Sequence, residues 1–411
     1  MIMAWFTLKQ SKLAELHIIT GEYPPQPGGV SDYTRIIAED LAASGDEVHV
    51  WCPAAIEETP PAAGVTTHRE LGRISPADLR RVSRQLNQFA APRRLLVQWV
   101  PHGYGYRSMN LPFCLWLWQR ARLRGDHVEL MVHEPYIPFS RASWRQSAVA
   151  AAHRLMTVIL MNCARRVWMS IPAWEARLAS YACGRKIPFE WLPIPSNIAV
   201  RHDPDGVQTI RARYAANGRM LLGHFGTYGK PIKEMLAEAL PALLRERNDL
   251  SVLLLGRHSE AFRAELAQSH AEIAARLHAT GGLDAVELSK HVSACDLMLQ
   301  PYPDGISSRR TSAMVSLVHG KPLITTSGLL TEPLWAESEA VALAPATDTK
   351  ALKEQSHRLL DDVKRREHLS DAAGRLYREH FDVRHIIARL RRAGPLSPSS
   401  NASSRAVATD L

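Results

Sequence analysis

Three short stretches of the chain hold the residue types best suited to gripping a charged substrate. The richest is Asp304-Gly-Ile-Ser-Ser-Arg-Arg-Thr-Ser312. Gly305, Ile306, Ser307 and Ser308 offer backbone and hydroxyl donors, and Arg309 and Arg310 offer guanidinium forks. At a helix start such a set suits a diphosphate, because forked N–H groups and helix N-terminal amides converge on anionic oxygens. The second stretch is Phe225-Gly-Thr-Tyr-Gly-Lys-Pro-Ile-Lys233, where Gly226, Thr227, Lys230 and Lys233 gather at the start of a helical pattern. Lysines placed there oppose the helix dipole, and a bound anion would relieve them. The third is Gly28-Gly29, which ends the turn-rich loop Glu22–Val30 before another helix. Adjacent glycines bring backbone N–H groups to a ligand with no Cβ in the way, although a lone pair is more often only a tight turn. The pattern is not G-x-G-x-x-G, so a dinucleotide enzyme loses support. His133 closes the apolar run Val128–His133. It can bond a sugar hydroxyl or simply a neighbouring loop carbonyl, and on sequence both stay open.

The elements around these stretches alternate. Ala14–Ile19 is a strand pattern, about Ser31–Ser44 a helix with Gly45 as its stop, and Glu47–Cys52 a second strand. Strand, loop, helix and strand in that order make a βαβ unit with a parallel sheet. Strands at Arg94–Trp99 and Val128–His133 follow, with helices at Leu111–Leu123 and Ser143–Ala164. The Pro-rich Trp191–Ser196 reads as an exit from the first half, and Asn197–Gln208 as a linker. A second series then runs Met220–Phe225, helix Lys233–Arg247, strand Ser251–Leu255, helix Glu260–Leu277, helix Asp284–Ala294, strand Leu297–Gln300, helix Ser312–His319, and strands Leu323–Thr326 and Ala340–Leu343. Helices from about Thr349 to Ala393 close it. Two α/β domains in tandem are expected: 1–200, 201–393 with closing helices that pack back on the first, and a disordered tail 394–411. In such sheets ligands bind outside the carboxyl ends of the strands, so the loops carry the chemistry.

Composition narrows the classes. The chain has 411 residues, with 46% hydrophobic and 22% charged, which excludes a mainly disordered or disulfide-scaffold protein. A net charge of +9 favours anionic partners. Nucleic acid is not expected, because no aromatic-basic module of recognised spacing is present. Five cysteines without a C-x-x-C pair read as reduced thiols and offer no metal cluster. The first twenty residues lack a signal-peptide pattern, and the most apolar window, Ala148–Ala164, is too short and too interrupted to span a membrane. The expected location is cytoplasmic. Nine of the ten tryptophans precede residue 192. Phe113–Leu123 mixes aromatics with arginines and reads either as a core helix with its polar edge outward, the commoner pattern, or as an interfacial helix against the inner face of an anionic membrane.

Taken together, HIITGEYPPQPGGVSDYTRIIAEDLAASGDEVHVW, VHEPY, LPIPSN, GHFGTYGKPIKEMLAEAL and ACDLMLQPYPDGISSRRTSAMVSLVHGKPLITT resemble the retaining GT-B glycosyltransferases of glycosyltransferase family 4, over roughly Leu16–Ala393. The resemblance implies a GT-B fold, α/β, with two Rossmann-like domains facing across a cleft. It implies a nucleotide-sugar donor on the second domain and a glycan, lipid-linked or small-molecule acceptor on the first. Transfer would be retaining, with no metal and no cofactor beyond the nucleotide-sugar co-substrate. Gly28 and Gly29 would approach the donor phosphate or the acceptor, His133 the transferred sugar, and two basic residues after Gly226 the diphosphate. The chain departs from the pattern at three places. Thr227 replaces the family's basic residue, leaving Lys230 and Lys233, and the family's two glutamates eight positions apart are here Asp304 and Ser312. Arg309 and Arg310 would then supply the missing phosphate charge. The alternative is a catalytically weak or inactive GT-B protein that binds a nucleotide or glycan.

Overall fold

The structure is a computed structural model and describes residues 15–55 and 62–394. The tail expected to be disordered lies, apart from Gly394, outside the described residues, as do the first fourteen residues. The first series comprises β1 (Glu15–Thr20), α1 (Gly29–Ala43), β2 (Glu47–Pro53), β3 (Val65–Gly72), α2 (Pro76–Leu86), β4 (Arg94–Trp99), α3 (Leu111–Leu123), β5 (His127–Val132), α4 (Trp144–Cys163), β6 (Arg166–Met169), α5 (Ala173–Leu178) and β7 (Phe189–Trp191). The second comprises α6 (Pro204–Tyr214), β8 (Met220–Phe225), α7 (Lys230–Glu246), β9 (Leu250–Leu255), α8 (Ser259–Ser269), β10 (Leu277–Ala279), α9 (Ala285–Ala294), β11 (Leu297–Gln300), α10 (Thr311–Val318), β12 (Leu323–Ser327), α11 (Leu334–Glu337), β13 (Ala342–Pro345), α12 (Thr349–Asp361), α13 (Val363–Leu376) and α14 (Val383–Arg392).

The strand orders are β3-β2-β1-β4-β5-β6-β7 and β10-β9-β8-β11-β12-β13. The pairings among β1–β5 and among β8–β13 are parallel. Both are doubly wound Rossmann-like orders, as expected for a two-domain α/β fold. By Cα packing the chain divides into two compact units. One runs up to Val167 and adds Tyr181–Pro188 and the chain from Arg384; the other holds Trp168–Ser180 and Phe189–Val383.

Parallel strands covered by helices on both faces read as unbroken apolar runs, and β4, β5, β9 and β11 are buried along their whole length. In the second unit the alternation of strand side chains splits the core in two. Leu221, Leu253, Leu255 and Met298 face one side with α9, α10 and α13. Leu222, Val252, Leu254, Leu297 and Leu299 face the other with α7, α8 and α12. Buried ion pairs tie β4 to β5: Arg94 grips Glu129 with two bonds of 2.7 and 3.0 Å, and just before the two strands Arg93 meets Asp126 at 2.9 Å.

Several elements differ from expectation. The linker stretch Asn197–Gln208 contains the start of α6. Pro204 sits in its first turn, where a missing N–H costs nothing, and the Asp203 side chain caps the Gly206 N–H at 2.9 Å. Strand β3 escapes sequence inspection because its residues are mostly half-buried and polar, VTTHRELG. Helix α2 has a mean polarity that hides its apolar stripe, but Ser75 and Asp78 form a capping box that marks its start. The long helix expected over Glu260–Leu277 ends at Ser269, and the chain then forms β10. Four of the five cysteines are buried and unbridged, and Cys183 is exposed.

Candidate functional site

In the second unit the stretch between β11 and α10 is built from the inside. Gly305 has φ +84°, and a Cβ there would collide with Thr331 and the backbone of Gly328, so the loop closes only around glycine. The Ile306 N–H donates to the Thr326 carbonyl at 2.7 Å. The Ser308 N–H donates to Glu332 Oε1 at 3.0 Å, and the Ser308 hydroxyl bonds the same carboxylate. Glu332 also accepts from Trp335 Nε1 at 2.7 Å, and Trp191 Nε1 meets Ser308 Oγ at 3.0 Å. The buried Glu332 is therefore the internal anchor of this loop. Helix α10 starts with no side-chain cap, and the Ser307 hydroxyl is buried without a hydrogen-bond partner.

The charges around that helix start meet one another. Asp304 accepts from Arg309 Nη2 at 2.6 Å through Oδ2 and from Arg310 Nη2 through Oδ1. Arg309 also lies over the Trp174 ring at 5.7 Å, and Arg310 over Tyr302 at 4.7 Å. The two guanidiniums are thus held at one place, as an anion clamp requires, while one carboxylate balances part of their charge. Ser312 lies beside them, its Oγ 2.8 Å from the Tyr302 hydroxyl.

At the start of α7 the two lysines part company. Lys230 is exposed, 3.8 Å from Glu234. Lys233 pairs with Glu265 at 2.5 Å and lies 5.5 Å from the Phe262 ring centre. Gly226 packs against His224, whose Nδ1 lies 2.7 Å from the Leu299 carbonyl and whose Nε2 is buried without a partner. Burial pushes the His224 pKa down to about 4. Thr227 leads to Tyr228 at φ +58°, with its hydroxyl donating to the Leu255 carbonyl at 3.1 Å.

In the first unit, the helix start behind Gly28-Gly29 carries its own anion. Glu22 Oε1 accepts from the Val30 and Ser31 N–H groups at 3.0 and 3.1 Å. A Cβ at Gly28 would strike that carboxylate, whereas a Cβ at Gly29 would meet nothing within 4 Å. Gly28 makes room for Glu22, and Gly29 leaves open backbone. His133 is buried at the end of β5, its Nε2 2.8 Å from Gln98 Oε1 and its ring edge-on to Tyr33 at 5.0 Å. Burial pushes its pKa down to about 3, so it is a neutral imidazole at any physiological pH.

Three residues that the loop motifs do not flag shape these places: Glu332, Glu22 and Gln98. Glu22 stands within the loop singled out, and its carboxylate seven residues before a helix start was the available signal. Glu332 and Gln98 meet their partners only through the fold.

A family model for glycosyl transferases group 1 matches residues 220–362. A phosphatidyl-myo-inositol mannosyltransferase of Mycolicibacterium smegmatis is 24% identical over 374 residues, covering 87% of this chain and 88% of that protein. Among solved structures, Anabaena HepE in complex with UDP and glucose has a TM-score of 0.66 at 14% identity, covering 93% of this chain and 99% of its own. Sucrose-phosphate synthase of Thermosynechococcus elongatus has a TM-score of 0.68 at 17% identity, covering 92% and 98%. The matched domain and the shared two-sheet architecture make the chain a GT-B glycosyltransferase.

Proposed function

We propose that this glycosyltransferase is a family 4 enzyme that moves a hexosyl group from a nucleotide-diphosphate sugar to a lipid-linked or glycan acceptor, with retention and without an obligatory metal. The observation that carries the reading is the β11–α10 segment: two arginines that lie over aromatic rings, an uncapped helix start and a glycine-dependent turn in one place. A similar protein solved with UDP-glucose, and similar proteins named for mannosyl transfer to a phosphatidylinositol, support a nucleotide-sugar donor and a lipid acceptor.

In this reading the glycosidic bond lengthens through an oxocarbenium-like state and the diphosphate gains negative charge. Arg309 and Arg310 shift from Asp304 to the phosphate oxygens, with the amides of Gly305–Ser308 and the α10 start around them. Donors that bind the developing charge more tightly than the ground state lower the barrier. Lys230 or Lys233 adds charge, the latter by leaving Glu265. Gly226 and Thr227 border the nucleotide. His133 remains neutral and serves as a hydrogen-bonding group toward the sugar rather than as a proton donor at low pH.

The test is a thermal-shift screen with UDP, GDP and their sugars, followed by proton NMR of the transfer product with chelator present. One nucleotide should raise the melting temperature, and the product should keep the donor's anomeric configuration. No shift with any nucleotide would remove the donor assignment, and an inverted product would remove retention. A second reading, a binder with little turnover, is favoured by the pairing of Asp304 with both arginines, which offsets part of their charge, and by Thr227 and Ser312. Nucleotide binding without hydrolysis or transfer would select it.

For the membrane contact, α3 buries Phe113, Trp116 and Leu117 but exposes Leu115, Trp118 and Leu123, and the neighbouring α4 exposes Trp144 and Leu155. Among the described residues no helix is long and apolar enough to cross a membrane. We place this apolar and Arg-bearing surface against the cytoplasmic face of an anionic bilayer.

A further inference from the structure

Strand β4 ends at Trp99, whose carbonyl accepts from the His133 N–H at 3.0 Å, and residues 100–110 then lead to α3. In that segment Gly105, Tyr106, Arg107 and Ser108 all have positive φ, +73°, +50°, +52° and +71°. Left-handed backbone is unfavourable for residues other than glycine, and here three such residues adopt it in succession. The turn is closed by the Ser108 N–H on the Gly105 carbonyl at 2.9 Å and the Met109 N–H on the Tyr106 carbonyl at 3.1 Å.

Strain of this kind persists only where the surroundings over-determine it. Two fully buried residues bracket the turn and do so. The Tyr104 hydroxyl donates to the Gln98 carbonyl at 2.6 Å, and its ring stacks on Phe113 at 4.2 Å. Asn110 Nδ2 donates to the Tyr104 carbonyl at 2.7 Å and to the Ile74 carbonyl at 3.2 Å, while its Oδ1 accepts from the Phe113 N–H at 2.9 Å. The backbones of Gly103 and Gly21 touch, so the turn also abuts the loop that leaves β1.

The side chains that this backbone holds out serve nothing in the fold. Tyr106 is 48% exposed and Arg107 is exposed. Neither side chain makes a hydrogen bond, ion pair or ring contact among the described residues. His102 on the same segment and Arg73 on the adjoining loop are exposed as well, so the surroundings are basic. A phenol, apolar on its faces and polar at its tip, suits a sugar ring, and an unpaired guanidinium suits a phosphoryl group.

We propose that Tyr106 and Arg107 select the acceptor, which is a sugar-like ring carrying a phosphoryl group: Tyr106 packs on the ring and Arg107 bonds the phosphoryl oxygens. Tyr104 and Asn110 are positioning residues that keep the two side chains presented. The inference rests on the transferase reading above and adds to it the chemical class of the acceptor.

The experiment is a ligand-observed NMR titration of the full chain with glucose 6-phosphate and with glucose. The phosphate should bind at least ten-fold more tightly, Arg107→Gln should erase that preference, and Tyr106→Ala should weaken both ligands. Excess UDP or GDP should leave the sugar phosphate bound, which separates this place from the diphosphate loop. Phosphatidylcholine vesicles with phosphatidylinositol offer the same chemistry on a lipid. Sedimentation with them that falls in Arg107→Gln assigns a lipid-linked acceptor, and a loss confined to glucose 6-phosphate assigns a soluble one. Arg107→Gly removes the guanidinium and relieves the left-handed backbone at once, so it should lose binding yet melt at a higher temperature. Equal binding of glucose and its phosphate, binding unaltered in Arg107→Gln, or displacement by UDP or GDP overturns the assignment. A lower melting temperature for Arg107→Gly overturns it too, because the turn would then be unstrained. A nucleotide screen without a hit removes the donor reading and leaves these results standing.

Discussion

Asp304 decides what the two arginines beside it can do. Both guanidiniums rest on its carboxylate, at 16% and 23% side-chain exposure, so their charge is stored close to where the proposal puts a diphosphate. Removing Arg309 as Arg309→Ala should lower kcat/KM with the natural donor by about ten-fold or more, the usual loss for one charged transition-state contact. Unchanged turnover would take Arg309 out of the mechanism. Asp304→Asn works the other way on binding: it frees both guanidiniums, and calorimetry should find the nucleoside diphosphate bound more tightly than by the parent chain. Glu332 is a different kind of residue, because it touches the loop rather than any substrate. Its loss in Glu332→Ala leaves Ser308 and Trp335 N–H groups buried without acceptors, which costs on the order of 3 kcal/mol. Urea unfolding measures that cost, and a parental midpoint would show that the loop does not depend on the carboxylate.

At the scale of elements, the β11–α10 turn exists because a glycine with positive φ lets two backbones touch. Gly305→Ala must move the Thr331 hydroxyl and the Gly328 backbone, and add the strain of a left-handed residue, roughly 1–2 kcal/mol before the clash is counted. The expected outcome is a clearly lower melting temperature together with weakened nucleotide binding. Equal stability would mean that the turn relaxes elsewhere. Helix α3 makes a second element-scale prediction. An amphipathic helix that only lines a core shows polar residues outward, but α3 shows Leu115 at 53% and Leu123 at 65% exposure. Liposomes containing anionic lipid should therefore pull the chain down at low salt, less at high salt, and less again for Leu115→Ser with Leu123→Ser. Equal pull-down by neutral liposomes would point to apolar contact alone, and none at all would remove the membrane from the proposal.

The whole molecule carries its buried histidines as a pH liability. His133 and His224 are held neutral by burial, with pKa values near 3 and 4. The unfolded chain protonates the same residues near ~6.5. Stability from these groups is therefore complete above that value and is lost progressively as pH falls through the window toward 3 to 4. Denaturant midpoints measured from pH 7.5 to 4 should fall, and His133→Gln should flatten part of the fall. A midpoint independent of pH would show that these imidazoles charge without cost. Nucleotide binding acts on the whole fold as well: a ligand at about 100 times its Kd adds about 2.7 kcal/mol, so the screen reads as a shift of the entire transition.

Sequence by itself determined the elements with strong local signals. Arg94–Trp99, Leu111–Leu123, Met220–Phe225 and Leu297–Gln300 coincide with β4, α3, β8 and β11, because long apolar runs and helical periodicity are properties of neighbouring residues. Their alternation gave the two parallel sheets, and the glycine and hydroxyl content of residues 304–312 marked the loop. Tertiary structure alone decided the pairings. That Asp304 holds Arg309 and Arg310, that Lys233 answers to Glu265, that Glu22 fills the start of α1 and that Glu332 anchors Ser308 all depend on where backbones cross. Strand β3 was hidden for the same reason, since its polar, half-buried residues acquire a strand's environment only beside β2. Local pattern fixes what a segment can become, while charge compensation and burial of polar groups are settled between segments far apart in the chain.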